Sequence, residues 1–321
     1  MILVTGGTGF IGTHLLARLA ARGEEVRALV RRTRLPRALP AGVQVVHGDL
    51  ASGAGLDDAL RGTDTVIHLA GVTKALRPAD YYTGNVRATE QLTHAMAGRG
   101  IRLLHVSSLA AIGPSEGRIP LSDDAHPHPL THYGKSKLDA ERVVRDLMPE
   151  AVIVRPPVVY GPRDTDVFQL LKSISKGLVL EIAGGERWFS AIYVNDLVAG
   201  LMAALRTPGA AGKSYFLAHS KPVSWQELGG VAARIMRKTP RVMTMPLPLA
   251  YAVGACGEMW ARVTGNPSIV SREKVAEACC KAWICDTSRA ERELGFVAAT
   301  CLERGLAETL AWYKEAGWLK Y

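Results

Sequence analysis

The chain has 321 residues, 48% of them apolar, enough to bury one large core or a large and a small one, which excludes a disordered protein. The net charge of +9 raises nucleic acid as a partner, but the basic residues are scattered apart from Arg27, Arg31, Arg32, Arg34 and Arg37, so no nucleic-acid role is expected. Five cysteines, Cys256, Cys279, Cys280, Cys285 and Cys301, are odd in number and lack paired spacing, so free thiols and no metal site are expected. The first residues enter an apolar run with no charged leader or cleavage site, and a cytoplasmic protein is expected.

In chain order, Ile2-Leu3-Val4 leads into Thr5-Gly6-Gly7-Thr8-Gly9-Phe10-Ile11-Gly12, after which Phe10, Ile11, Leu15, Leu16 and Leu19 recur at helical spacing. This reads as strand, tight turn and helix N-terminus, a geometry that binds phosphate because glycine lets the anion approach the amides at the positive helix end. Apolar runs at 2–4, 26–30, 43–46, 65–69, 103–106 and 151–154 alternate with helical patterns. The alternation predicts an α/β fold with a doubly wound parallel sheet, whose ligands sit beyond the carboxyl ends of the strands.

The residues after each run are therefore the candidates. Arg31-Arg32 follow the second run, where an acid would favour NAD; two arginines favour the 2′-phosphate of NADP, with NAD as the alternative and a solvated pair as the plain reading. Gly48-Asp49-Leu50 offers a carboxylate to the adenine amino group. His68-Leu69-Ala70-Gly71 offers small residues over which a dinucleotide can lie, His68 itself being read as a satisfied core histidine. The fifth run ends in Ser107-Ser108, and Tyr133 and Lys137 stand four apart at the start of a helical pattern, hence on one face. An ammonium beside a phenol favours the phenolate, so Ser108, Tyr133 and Lys137 read as a proton-transfer site.

Together these stretches, with Asn85-Val86, Arg155-Pro-Pro-Val-Val-Tyr-Gly-Pro162 and Ile192-Tyr-Val-Asn-Asp-Leu197, resemble the extended short-chain dehydrogenase/reductase superfamily, with an epimerase/dehydratase-like C-terminal part. The resemblance implies a Rossmann sheet over residues 1–177 and a smaller, mostly helical substrate-binding part over 178–321, from which the chain is free to re-enter the first. It implies Tyr133 as acid–base, Lys137 as the ribose-binding residue that depresses the phenol pKa, and Ser108 as the donor to the substrate oxygen. To the cofactor it assigns Gly6, Thr8, Gly9, Phe10, Ile11, Gly12, Arg31, Arg32, Asp49, Leu50, Leu69, Ala70, Gly71, Asn85, Val106, Tyr133, Lys137 and Pro156. Nucleotide-sugar epimerases of this superfamily carry an asparagine and an arginine where this chain has Val158 and Phe189, and a histidine at Tyr193. The pattern instead resembles the dihydroflavonol-reductase and 3β-hydroxysteroid-dehydrogenase-like branch, which implies hydride exchange at a secondary alcohol or ketone of a sterol- or flavonoid-like substrate. The alternatives are a nucleotide-sugar epimerase or dehydratase holding NAD, and a non-catalytic dinucleotide sensor.

Past residue 177, helical patterns are expected at 198–205, 225–236, 249–263, 272–278, 288–294 and 302–314. The most apolar segment, 247–263, contains Glu258 and Arg262 and is shorter than a bilayer span. It reads as a buried or pocket-lining helix, with an interfacial membrane helix as the alternative. Trp188 and Phe189 read either as pocket lining or as core. The helical patterns 82–96 and 133–147 resemble those through which relatives form homodimers.

Overall fold

The computed structural model describes residues 1–31, 39–182, 184–265 and 271–321. Seven strands form one parallel sheet: β1 (Ile2–Thr5), β2 (Val26–Val30), β3 (Gln44–His47), β4 (Thr65–His68), β5 (Arg102–Val106), β6 (Val152–Arg155) and, from much later in the chain, Ser214–Phe216. Their order places that late strand at one edge, followed by β6, β5, β4, β1, β2 and β3. The order reverses between β1 and β4, and the crevice beyond their carboxyl ends is where such sheets bind ligands.

Alternate residues of each strand go to opposite faces, and the helices pair with them accordingly. On one face Val4, Ala28, Ile67, Leu104, Val106 and Val154 pack with Leu15, Leu16 and Leu19 of α1 (Phe10–Ala21). On the other, Leu3, Leu29, Val66, Leu103 and Ile153 pack with α2 (Leu56–Leu60), α4 (Ala88–Met96) and α5 (His132–Leu147). Between α3 (Pro78–Tyr81) and α4 the chain makes a π-helical turn, Tyr82–Arg87. Such turns cluster at functional sites, and this one carries Asn85.

After β6 come β7 (Val158–Tyr160), α6 (Val167–Ser175), β8 (Leu178–Ile182), β9 (Trp188–Phe189), β10 (Ala191–Tyr193), α7 (Val194–Arg206) and β11, the late strand. Then follow β12 (Val223–Ser224), α8 (Trp225–Met236), β13 (Arg241–Met245), α9 (Leu247–Thr264), α10 (Arg272–Cys279), β14 (Ala282–Trp283), α11 (Ser288–Leu294) and α12 (Leu302–Glu315). Leu197, Val198 and Leu201 of α7 join the first core beside α1. A second core gathers Leu171, Phe189, Leu228, Val231, Leu306, Leu310 and Tyr313 from α6, β9, α8 and α12.

One helix departs from its expected place. Of the eighteen residues of α9, only Ala250, Gly254 and Ala261 are buried, so it is not a core helix. Apolar composition suggested burial, but the helix packs on α10 along a single stripe of small residues. Among the described residues no helix is long and apolar enough to cross a membrane.

Candidate active site

The glycine loop takes its shape from close backbone contacts. Gly6 has φ +70°, and a Cβ there would sit 2.6 Å from the Ala70 amide nitrogen at the tip of β4. A Cβ at Gly12 would lie 2.2 Å from the Gly6 carbonyl oxygen. The N-cap of α1 is Gly9, no side chain caps the helix and its first turn holds no acid, so the positive end of α1 at Phe10, Ile11 and Gly12 faces the crevice. Thr8 is exposed beside it. This cradle fits a pyrophosphate.

His68 ties the two strands at the switch point. Ala70 N–H donates to Thr5 Oγ1 (3.3 Å), Thr5 Oγ1 pairs with His68 Nδ1 (2.7 Å), His68 Nε2 pairs with Thr89 Oγ1 (3.0 Å), and Thr89 Oγ1 donates to the Asn85 carbonyl (2.6 Å). With the Thr89 proton committed to Asn85, the relay assigns the histidine proton to Nε2. Burial holds His68 down to about 3, with the Lys137 charge adding to the effect, so it is neutral. The core-histidine reading of His68 therefore fits its geometry. His105 lies beside it, ring centroids 5.3 Å apart, and burial likewise keeps it well below the usual histidine range.

Asn85 is 1% exposed and spends its amide inside the protein. It accepts from Val72 N–H (2.6 Å) and donates to the Val72 carbonyl (3.1 Å) and Ser136 Oγ (2.8 Å), fastening the Gly71–Val72 loop to α5. A Cβ on Gly71 would stand 3.0 Å from Asn85 Oδ1 and 3.9 Å from Lys137 Nζ, so the tip of β4, Asn85 and Lys137 converge. Leu69 and Ala70 are half-buried beside them. Asp49 accepts from the Ala51 N–H through Oδ1 (2.8 Å), and Leu50 next to it is half-buried. Arg31 is exposed at the end of β2 and forms no ion pair among the described residues, whereas Arg27 is engaged with the Ala59 and Arg61 carbonyls (2.8 Å each). Arg32, Arg34 and Arg37 lie outside the described residues.

Tyr133 and Lys137 enter on the first turns of α5, whose N-cap Thr131 accepts from Gly134 N–H (3.1 Å). Ser108 caps the short turn after β5 by accepting from Ala110 N–H (3.2 Å), and its hydroxyl stands close enough to the Tyr133 phenol to lower the phenol pKa. The Leu109 amide donates to the Pro156 carbonyl (2.9 Å), fixing the turn against β6. Lys137 is 4% exposed and donates to the Val106 carbonyl at 2.8 Å. Burial lowers it to about 8, against the pull of Glu141 one turn on. Glu141 is itself held by Arg155 in a buried pair, Nε to Oε1 at 3.0 Å and an N–H of the guanidinium to Oε2 at 2.6 Å. This gives the arginine of the Arg155-Pro-Pro stretch a structural task.

In this structure the Lys137 ammonium is bound to the Val106 carbonyl, and the main influences on the Tyr133 phenol come from elsewhere. Burial of the hydroxyl end raises the phenol above its ordinary value; Ser108 and the Lys274 charge lower it, and Glu277 and Asp166 raise it. Lys274 is the cation the sequence did not reveal. It sits on α10, donates to Glu277 Oε2 at 2.6 Å, and α10 is fastened over the start of α5 by Thr131 Oγ1 to Glu277 Oε1 (3.1 Å) and His132 N–H to Glu273 (3.2 Å). Asp166, before α6, pairs with Lys74 from the loop after β4, joining the two sides of the cleft.

Of the residues weighed for substrate, Phe189 is 2% exposed and stacks on Trp225 with centroids 4.1 Å apart, so it is core. Trp188 is half-buried under the Arg118 guanidinium, 3.9 Å from its ring. Val158 is half-buried on β7. Tyr193 donates to Glu308 (2.7 Å), and Asp196 accepts from Thr300 N–H (2.8 Å); both tie α7 and β10 to the C-terminal segment.

Residues 2–218 match the model of the NAD dependent epimerase/dehydratase family. A ceramide reductase of Caulobacter vibrioides is 33% identical over 99% of this chain and 96% of its own length. The N-acetyl-alpha-D-glucosaminyl-diphospho-ditrans,octacis-undecaprenol 4-epimerase of Escherichia coli O157:H7 is 30% identical over 96% of this chain and 94% of its own. Among solved structures, the UDP-glucuronic acid 4-epimerase of Bacillus cereus in complex with NAD superposes with a TM-score of 0.80 at 22% identity, covering 98% of this chain and 99% of that one, a likeness of fold. With a glycine cradle at the switch point, a Ser–Tyr–Lys set beside it and a family model matching more than half its length, this chain belongs to the NAD dependent epimerase/dehydratase family, among the enzymes of the extended short-chain dehydrogenase/reductase superfamily.

Proposed function

We propose that this enzyme exchanges a hydride between NADP(H) and a secondary alcohol or ketone on a large, mostly apolar substrate. The observation that carries the reading is Ser108 beside the Tyr133 phenol while Lys137, fixed on the Val106 carbonyl, stands beside Gly71. When bound, the reduced nicotinamide supplies the hydride. Tyr133, whose raised pKa keeps it protonated at neutral pH, donates its proton to the substrate oxygen, and Ser108 orients that oxygen. Lys137 holds the ribose, Asp49 accepts from the adenine amino group, and the amides at Phe10, Ile11 and Gly12 hold the pyrophosphate. The remaining loop and strand-tip positions, Gly6, Thr8, Gly9, Leu50, Leu69, Ala70, Val106 and Pro156, shape the walls, with Asn85 positioning Gly71. Arg31, exposed and without an acid among the described residues, supports NADP through its 2′-phosphate.

Two features support an apolar substrate. Val158 and the core residue Phe189 offer a sugar diphosphate neither amide nor cation, which forfeits roughly 1.5–3 kcal/mol per missing charge-assisted hydrogen bond. The relatives named above are named for lipids, ceramide and a polyprenol. The second of them favours one further reading, a 4-epimerase of a lipid-carried sugar, in which the hydride returns to the substrate and no cofactor is consumed. Thermal midpoints of the NADPH-loaded protein discriminate the two. A long-chain or sterol-sized ketone should raise the midpoint and UDP- or dTDP-sugars should not; a clear rise with a sugar nucleotide below millimolar concentration would overturn the apolar-ketone reading in favour of the epimerase.

A further inference from the structure

Helix α9 turns its apolar face outward. Its three buried residues, Ala250, Gly254 and Ala261, share one stripe at 3.6 residues per turn, and the approach to α10 is close enough that a Cβ on Gly254 would lie 3.0 Å from the Arg272 nitrogen. Around the helix from that stripe Leu249, Val253, Cys256, Trp260 and Val263 recur at intervals of four, three, four and three, with Met259 alongside. Trp260 is 70% exposed, Val263 78% and Met259 63%. No charge falls on this face: Glu258 is tied to Arg272 of α10 at 2.8 Å, and Arg262 follows it round the helix. A globular protein normally presents the reverse arrangement.

The strand that feeds α9 is also exposed and apolar. β13 pairs with β8 in a two-stranded ribbon, and Val242, Met243 and Leu180 of that ribbon are exposed. Between Glu227 and Glu258 the chain has no acid but carries Arg234, Arg237, Lys238 and Arg241. Arg234 lies 4.0 Å from Glu303; Arg237, Lys238 and Arg241 are exposed and form no ion pair among the described residues. Lys176, exposed as well, sits across the ribbon, where Arg241 N–H donates to the neighbouring Gly177 carbonyl at 2.9 Å.

We propose that α9 and the β8–β13 ribbon dock on the surface of an anionic bilayer, with α9 lying in the interface plane, Trp260, Met259 and Val263 at the acyl boundary, and Lys176, Arg237, Lys238 and Arg241 on headgroup phosphates. An uncharged aromatic and aliphatic face beside unpaired cations is the pattern of interfacial helices, and the cations add an electrostatic term that salt weakens. A second copy of the chain fits less well, since a two-fold contact would set these cations against their own counterparts. The surface lies one helix from Tyr133, because α10 bridges α9 to the start of α5, but the docking stands without the substrate reading.

The test is co-sedimentation of the full chain with vesicles of phosphatidylglycerol and phosphatidylcholine and with vesicles of phosphatidylcholine alone. The protein should pellet with the anionic vesicles and do so less at high salt. A Met259→Ser, Trp260→Ser, Val263→Ser variant should lose binding about tenfold or more, and an Arg237→Glu, Lys238→Glu, Arg241→Glu variant should lose the preference for anionic lipid. Retained NADPH binding and an unchanged thermal midpoint show that each variant is folded. Failure to pellet with either vesicle, or pelleting that neither variant alters, would overturn the proposal. So would a dimer in solution that Trp260→Ser dissociates. Vesicle binding without turnover of any lipid ketone would refute the substrate reading and leave the docking surface standing.

Discussion

Replacing Lys137 by methionine separates the energetic cost of the site from its use. Lys137 is 4% exposed, and burial brings it from 10.5 down to about 8. Lowering the lysine to about 8 withholds about 3 kcal/mol of native stability below pH 8. Between pH 8 and 10.5 the unfolded chain keeps a proton that the folded chain has released, so stability rises with pH across that window. Methionine removes the charge and keeps most of the stem, and Glu141 retains its bidentate partner Arg155. The loss is the 2.8 Å bond to the Val106 carbonyl, which costs about 1–3 kcal/mol when a buried acceptor is orphaned. Lys137→Met should therefore be as stable as the native protein at pH 7, or up to about 2 kcal/mol more stable, while turnover is lost. Urea denaturation at a series of pH values reads the linkage directly: from pH 8 to 10 the native protein should gain about 2 kcal/mol relative to the variant. A variant that is less stable by an amount independent of pH would show instead that the ammonium is a stabilising structural ion.

Arg31→Ala should weaken NADP(H) by about 1–3 kcal/mol and leave NAD(H) nearly unchanged, read by titrating both cofactors; equal native affinity for the two would remove Arg31 from its role. His68→Gln tests the buried relay through acid stability. The folded pKa of about 3 lies below the unfolded 6.5, so the contribution of neutral His68 is present above pH 6.5 and lost as pH falls; from pH 6 to 4 the native protein should lose about 2 kcal/mol relative to the variant. Gly12→Ala places a methyl 2.2 Å from the Gly6 carbonyl oxygen, so calorimetric titration should show dinucleotide binding lost while circular dichroism still reports a folded sheet.

The dinucleotide half was legible because its signals are local. The glycine loop, six apolar runs and Tyr133–Lys137 spacing each lie within a few residues, and the strands stand within one or two residues of where the runs place them. The seventh strand was not, since Ser214–Phe216 is three residues long and joins β6 only through long-range pairing. The ribbon of Leu178–Ile182 with Arg241–Met245 escaped for the same reason. In the site, the serine, tyrosine and lysine could be named, but the direction of the phenol shift could not, because it depends on burial and on Lys274, a residue of a distant helix with no motif around it. The Glu141–Arg155 pair was within reach, as Glu141 is four residues from Lys137. The exposure of α9 was not, because apolar composition marks a face to be covered without saying by what.

Proton donation by Tyr133 to the carbonyl of an apolar substrate is read by single-turnover oxidation of stoichiometric NADPH. Native protein mixed with a long-chain or sterol-sized ketone should lose the reduced-nicotinamide absorbance in one phase. Tyr133→Phe keeps the ring and removes the proton, so it should bind NADPH as tightly and slow that phase by about 10²–10⁴-fold, the contribution of a positioned general acid. A Tyr133→Phe protein that oxidises NADPH at the native rate would show that Tyr133 is not the proton donor.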